Sequence, residues 1–260
     1  MRSDTAAVRR FVAPAFLGLL LIGGWWLTAR VSGVSAALLP HPGAVLVRLG
    51  ELIGSGELWP YLRVTLVEAL GGSALGVAVA LPLAVLIHRS RWFSDAVQPF
   101  LGATQAIPAI ALAPLLALWI GYGLWPVMVL CALMVFFPIL IAAVLGLRGI
   151  DHAIIDAAHM DGAGGADLLF QVEAPLALPS VLAGLKNGFA LSVTGAVVGE
   201  MVLGGQGLGT ILTVQRDAVD TAGMFATILV LCALAATAYS LINLWERRSR
   251  IIDSLRRSSE

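Results

Sequence analysis

From Leu124 to Leu147 the chain carries no charged residue, and its centre reads Phe136-Phe137-Pro138-Ile139-Leu140-Ile141. About 20 apolar residues in helical form cross the hydrocarbon layer of a bilayer. Inside that layer only helices and closed barrels satisfy their own backbone groups. Comparable runs recur along the chain, so six spans are predicted, at roughly 11–32, 58–88, 95–119, 124–147, 177–202 and 222–246. With 59% hydrophobic and 12% charged residues and a mean hydropathy of +0.92, these 260 residues hold more apolar surface than a soluble domain of that length buries. The expected fold is an all-α integral membrane protein with about six transmembrane helices and no room for a soluble catalytic domain.

The sparse charges orient those spans. One lysine stands against fifteen arginines at zero formal net charge, which leaves no basic surface for nucleic acid. With the N-terminus inside, the inner segments collect Arg2, Arg9, Arg10, Arg89, Arg91, Arg148 and the arginines from 247 onward. Outer segments and helix ends hold Arg30, Arg48, Arg63 and Arg216. The positive-inside rule then predicts cytoplasmic termini and a cytoplasmic segment at 148–176. The run 11–32 is too long for a signal-peptide core and lacks a good small-residue cleavage site, so it is expected to remain as a first helix. Residues 39–57 are expected to form an external amphipathic segment, with Val45, Leu46, Leu49, Leu52 and Ile53 on one face and Arg48 and Glu51 opposite. Gly72-Ser73-Ala74-Leu75-Gly76 has the small-residue spacing that lets helices approach closely in lipid. Prolines at 108, 114, 126 and 138 interrupt or border the third and fourth spans.

Several chemistries are missing. No Gly-Lys-Ser/Thr sequence exists for a P-loop, and neither His-Glu-x-x-His nor Gly-x-Ser-x-Gly occurs. The run Gly204-Gly205-Gln206-Gly207-Leu208-Gly209 follows a predicted membrane helix rather than a strand and is read as a turn. His41, His88, His152 and His159 show no metal-ligand spacing beyond the pair seven apart, so no metal site is expected. Cys131 and Cys232 sit in separate apolar runs and are expected to pack rather than to pair.

The segment 151–175 is a polar island in this apolar chain. Asp151 suits a helix N-cap, Ala153, Ile154, Ala157, Ala158 and Met160 suit the helix, and Gly162 suits a left-handed C-cap. A second helical stretch from Ala166 to Ala174, ended by Pro175, is expected to follow. The pattern resembles the cytoplasmic loop of the inner-membrane permease subunits of binding-protein-dependent ABC transporters: Glu-Ala-Ala, three residues, Gly, nine residues, Ile, one residue, Leu-Pro. The matching positions are Asp156, Ala157, Ala158, Gly162, Val172, Ala174 and Pro175, with Asp for Glu, Val for Ile and Ala for Leu.

That resemblance spans roughly residues 58–250. It includes Pro108, Phe137-Pro138 and Gly207-Leu208-Gly209, and it implies a type I importer permease domain over 58–250 with a cytoplasmic coupling loop at 151–175. It also implies ATPase subunits that bind ATP and Mg, so that no cofactor resides in this chain, together with an extracytoplasmic solute-binding protein and a pore built from two permease copies. Asp156, Ala157, Ala158, Asp161, Gly162, Val172 and Pro175 are then the ATPase-coupling candidates, in a bacterial inner-membrane protein. Leu39-Pro40-His41-Pro42, Gly56-Glu57-Leu58-Trp59 and Leu147-Arg148-Gly149-Ile150-Asp151 resemble the branch that imports nitrate, sulfonates, taurine, thiamine-precursor pyrimidines and riboflavin. Trp119-Ile120-Gly121-Tyr122-Gly123-Leu124 leans toward the last two.

Polar groups within spans each need a reason, because a mid-helix charge costs about 2.5–3.5 kcal/mol on insertion scales. Glu68 and Lys186 are two such groups. Lys186 either snorkels to the inner interface or touches solute, and Glu200 either lines the outer mouth or anchors the following turn. Gln105, Ser192 and Thr194 either face the pathway or satisfy a neighbouring helix backbone. With Glu200 they are the candidate pathway-lining residues. An ion-driven secondary transporter is the alternative function; it predicts an internal repeat, and none is visible.

Overall fold

A computed structural model describes residues 2–31, 33, 35–104 and 108–248. The helices, in order, are α1 (Arg2–Val31), α2 (Pro42–Gly54), α3 (Leu58–Arg89), α4 (Arg91–Thr104), α5 (Ala109–Ile120), α6 (Leu124–Arg148), α7 (His152–Met160), α8 (Gly165–Leu168), a π-helical turn (Leu169–Glu173), α9 (Ala174–Leu203), α10 (Leu208–Asp217) and α11 (Thr221–Arg248). Four stretches are long and apolar enough to cross a membrane: Leu58–Arg89, Leu124–Arg148, Gly165–Leu203 and Thr221–Glu246. Shorter apolar helices cover Phe16–Val31 and Ile110–Ile120.

The predicted span at 95–119 is two helices, α4 and α5, rather than one. Pro108 stands before α5 in extended backbone (φ −69°, ψ 115°), as a residue without an N–H to continue a ladder does. Its carbonyl accepts from Ala111 N at 2.9 Å and so opens α5. Gln105 lies outside the described residues.

The described residues within 60–210 and 231–260 form one unit. Its centre is α6, the most apolar of the long helices. Val135, Ile139, Leu140, Ala143 and Val144 pack there with Ala80, Ala84 and Ile87 of α3, and Val127 and Cys131 pack with Ala69 of α3 and Phe189, Val193 and Ala196 of α9. Glycines set the spacing. A Cβ on Gly72 would lie 2.3 Å from Cys131 Cβ, and one on Gly184 would lie 2.6 Å from Ala142 Cβ. Lipid tails are as apolar as leucine, so helices in a bilayer gain by close backbone approach, which these glycines permit.

Residues within 1–59 and 211–230 form the other unit. Trp25 stacks on Phe225 with ring centroids 5.4 Å apart and donates from Nε1 to Pro40 O at 3.1 Å. On α2, Val45 and Leu52 are buried, whereas Leu46 and Ile53 are exposed, so the apolar face is not uniformly covered by the chain. Arg48 is not on a free polar face either. It bridges Glu51 at 3.0 Å and Asp220 at 2.9 Å, and these two carboxylates, Glu51 foremost, hold its pKa above the ordinary value.

Candidate functional site

At the arginine-bearing end of the long helices, the chain leaves α6 at Arg148 and builds the island anticipated from sequence. Asp151 caps α7 by accepting from Ala153 N at 2.9 Å. The helix ends in a Schellman motif: Ala163 N donates to Ala158 O at 2.9 Å and Gly162 N to His159 O at 3.0 Å. Gly162 sits at φ +87°, a conformation that an L side chain resists. No residue of α7 is buried. Asp156, Ala157, Asp161 and Gly162 are exposed and Ala158 is half-buried. Met160 is 90% exposed, and Phe170 follows at 72%.

Pro175 does not end a helix. The backbone widens into the π turn just before it, with Ala174 N donating to Leu169 O, and Pro175 falls in the first turn of α9. A proline lacks an N–H and is tolerated in that turn, so the helix passes through it. Val172, half-buried, lies in the widened turn. From Gly165 to Leu203 the chain is therefore one continuous helical rod of 39 residues.

This rod is fastened to α3 by a charge pair that sequence reasoning missed. Glu173 is buried, and its Oε2 accepts from Arg89 Nη2 at 2.7 Å while its Oε1 lies 3.3 Å from His88 Nε2. The Arg89 guanidinium also donates to Gly165 O at 3.2 Å. One side chain at the end of α3 thus holds both ends of the α8–π segment. The partners lie 84 residues apart in sequence, which leaves no local signal.

The opposite end of α9 is built differently. Glu200 is fully buried; its Oε1 accepts from Thr65 Oγ1 at 2.7 Å and its Oε2 from Gly209 N at 2.6 Å. Thr65 Oγ1 in turn accepts from Leu208 N at 2.8 Å. The carboxylate and the threonine together cap the start of α10, the favourable place for a negative group. This explains the glycine run. A Cβ on Gly207 would lie 1.9 Å from Glu200 Oε1, and one on Gly209 2.4 Å from Val197 O. Of the two sequence alternatives for Glu200, the geometry matches the anchor of the turn. Glu68, one helical turn along α3 from Thr65, is also buried, and its Oε2 has no hydrogen-bond partner among the described residues.

Ser192 is fully buried and donates to Ala69 O at 2.8 Å, joining α9 to α3. Thr194 is exposed and donates back to Ala190 O in its own helix at 3.3 Å. Lys186 is partnered: its Nζ pairs with Glu246 and lies 3.4 Å from Asn243 Oδ1, both on α11. Cys131 and Cys232 are free thiols.

Residues 72–251 match the family model described as binding-protein-dependent transport system inner membrane component. The riboflavin transport system permease protein RibX of Chloroflexus aurantiacus is 42% identical over 246 residues, covering 93% of this chain and 91% of that one. The formylaminopyrimidine transport permease protein ThiX of Halalkalibacterium halodurans is 33% identical over 229 residues, covering 88% and 91%. Among solved structures, the MetNI methionine ABC transporter in an inward-facing conformation superposes with a TM-score of 0.63 at 21% identity, over 76% of this chain and 95% of that one. The chain belongs to the family of binding-protein-dependent transport system inner membrane components, as a transmembrane permease subunit of the ABC importer type.

Proposed function

We propose that this chain forms the translocation pathway of an ATP-driven importer in the bacterial inner membrane, with both termini and the segment Asp151 to Pro175 in the cytoplasm. Two copies enclose the path, ATPase subunits that bind ATP and Mg dock on α7, and an extracytoplasmic binding protein delivers the solute. The chain itself carries no ATPase site. In this reading residues 39–57 lie on the outer side, and the arginine distribution supports that orientation. The cargo is a small organic or anionic solute: a thiamine-precursor pyrimidine or riboflavin, or a sulfonate, nitrate or taurine. The similarity to RibX and ThiX supports the heteroaromatic members of that set.

One observation carries the coupling role: α7 is a nine-residue helix with no buried residue, followed within a few residues by the rod that becomes a membrane span. An isolated helix that short is marginal in water, so a partner is needed to hold it. The exposed Ile154 and Met160 supply apolar contact, and Asp156 supplies a charge. The test is co-purification of the ATPase subunit with tagged permease carrying Ile154→Glu and Met160→Glu. The ATPase is expected to be lost while the permease keeps its melting temperature. Undiminished capture would refute docking at α7.

A further inference from the structure

A cavity of about 640 Å³ lies between α7 and the ends of α3, α4 and α6. Its floor is apolar, from Ile87, Leu147 and Ile155, and its walls carry Arg91, Arg148, Asp95 and the imidazoles of His88 and His152. Glu173 also reaches it, but that carboxylate is already met by Arg89 at 2.7 Å and by His88. Arg148 donates to the neutral Ser94 Oγ at 2.6 Å, which leaves its charge unmatched, and Arg91 has no ion-pair partner among the described residues. Two guanidiniums therefore face one remaining acid, Asp95.

Arg148 is the last residue of α6, and Arg91 follows two residues after the end of α3, so the cavity opens at the level where apolar helix gives way to polar chain. A guanidinium pair above an apolar floor fits a phosphate group attached to hydrocarbon. Guanidinium forks match phosphate oxygens in a bidentate way, and basic pockets at the ends of membrane helices bind lipid head groups. We infer that this cavity binds the phosphate of an anionic phospholipid, with Arg91 and Arg148 as its cation pair. A free phosphate ester shares the chemistry and differs in lacking the acyl chains that the floor would meet.

His152 and Ile155 of α7 form one wall and the span ends form the other. An occupant braces α7 against α3 and α6, and this regulatory consequence rests on the docking role proposed above. Binding itself does not rest on it.

The test uses the full-length permease with its ATPase subunits in nanodiscs of phosphatidylcholine, with and without phosphatidylglycerol. Native mass spectrometry counts the phospholipids retained on the permease. Wild type is expected to keep phosphatidylglycerol in preference to phosphatidylcholine. R91Q combined with R148Q weakens that retention by about thirtyfold, and Lys at both positions restores most of it. If inorganic phosphate added in detergent displaces phosphatidylglycerol and is itself retained by wild type but not by the Gln pair, the site takes phosphate from solution, which keeps the chemistry and reassigns the source. Equal retention of the two lipids, or equal phosphatidylglycerol on wild type and on a Gln pair of unchanged melting temperature, overturns the inference. Loss of ATPase with the lipid count intact speaks only to docking at α7.

Discussion

The two ends of α9 solve the same problem in opposite ways. At one end Glu200, Thr65, Leu208 and Gly209 close a buried hydrogen-bond circuit within the chain. At the other, α7 keeps no residue buried and turns Met160 outward, and Phe170 of the π turn is exposed as well. Buried polar groups are stable only when satisfied, whereas an exposed apolar helix in water is stable only when covered. The contrast separates a junction whose polar groups pair within the chain from one whose apolar groups face outward.

The comparison breaks first at Glu200. Glu200→Ala strands two buried donors, each worth about 1–3 kcal/mol, so the permease should lose roughly 2–6 kcal/mol and melt well below wild type in detergent. An unchanged melting curve would remove the circuit from any structural role. Glu68→Gln, by contrast, replaces a buried carboxyl by an amide of the same size and leaves both partners of Glu200 in place, so it should melt close to the wild-type temperature. A change of packing comes next: Gly184→Leu drives a side chain into Ala142 and Pro138, with an overpacking cost of about 1–3 kcal/mol in the same assay.

At the exposed end the expected losses are functional. Gly162→Val forces a β-branched residue into left-handed backbone at about 1–2 kcal/mol, confined to the α7 terminus. Insertion and melting should stay near wild type while solute uptake by reconstituted complex falls. Uptake at the wild-type rate would show that the angle set at Gly162 is not transmitted. Asp151→Ala removes the N-cap at about 1 kcal/mol and should weaken ATPase capture by about fivefold, with no effect on the Glu200 junction. A drop in the melting temperature of the isolated permease would mean that α7 is more tightly integrated than its exposure indicates.

What was legible in the sequence was local. Spans at 58–88, 124–147, 177–202 and 222–246 fall within three residues of the observed helix ends, because a long, mostly apolar run reports directly on its solvent. Asp151 and Gly162 were legible because caps depend on neighbouring residues. The π turn through Pro175 was not, since it trades one backbone acceptor for another without changing the hydrophobic pattern. Nor were the pairs joining distant segments: Thr65 with Glu200 lies 135 residues apart and Lys186 with Glu246 60 residues apart. The glycines at 207 and 209 held one usable hint, for a run of glycine after a buried acid leaves room for its carboxylate.

The continuous helical stretch from Gly165 to Leu203 holds two departures from the regular ladder, the π turn at Leu169–Glu173 and Pro179 inside α9. At a rise of 1.5 Å per residue its 39 residues extend about 58 Å, so a tilt of about 5° at one end sweeps the other through about 5 Å. Glu200 holds the far end and Arg89 the near end, so the turn at Pro179 between them is where a tilt of one end would be absorbed or passed on to the other.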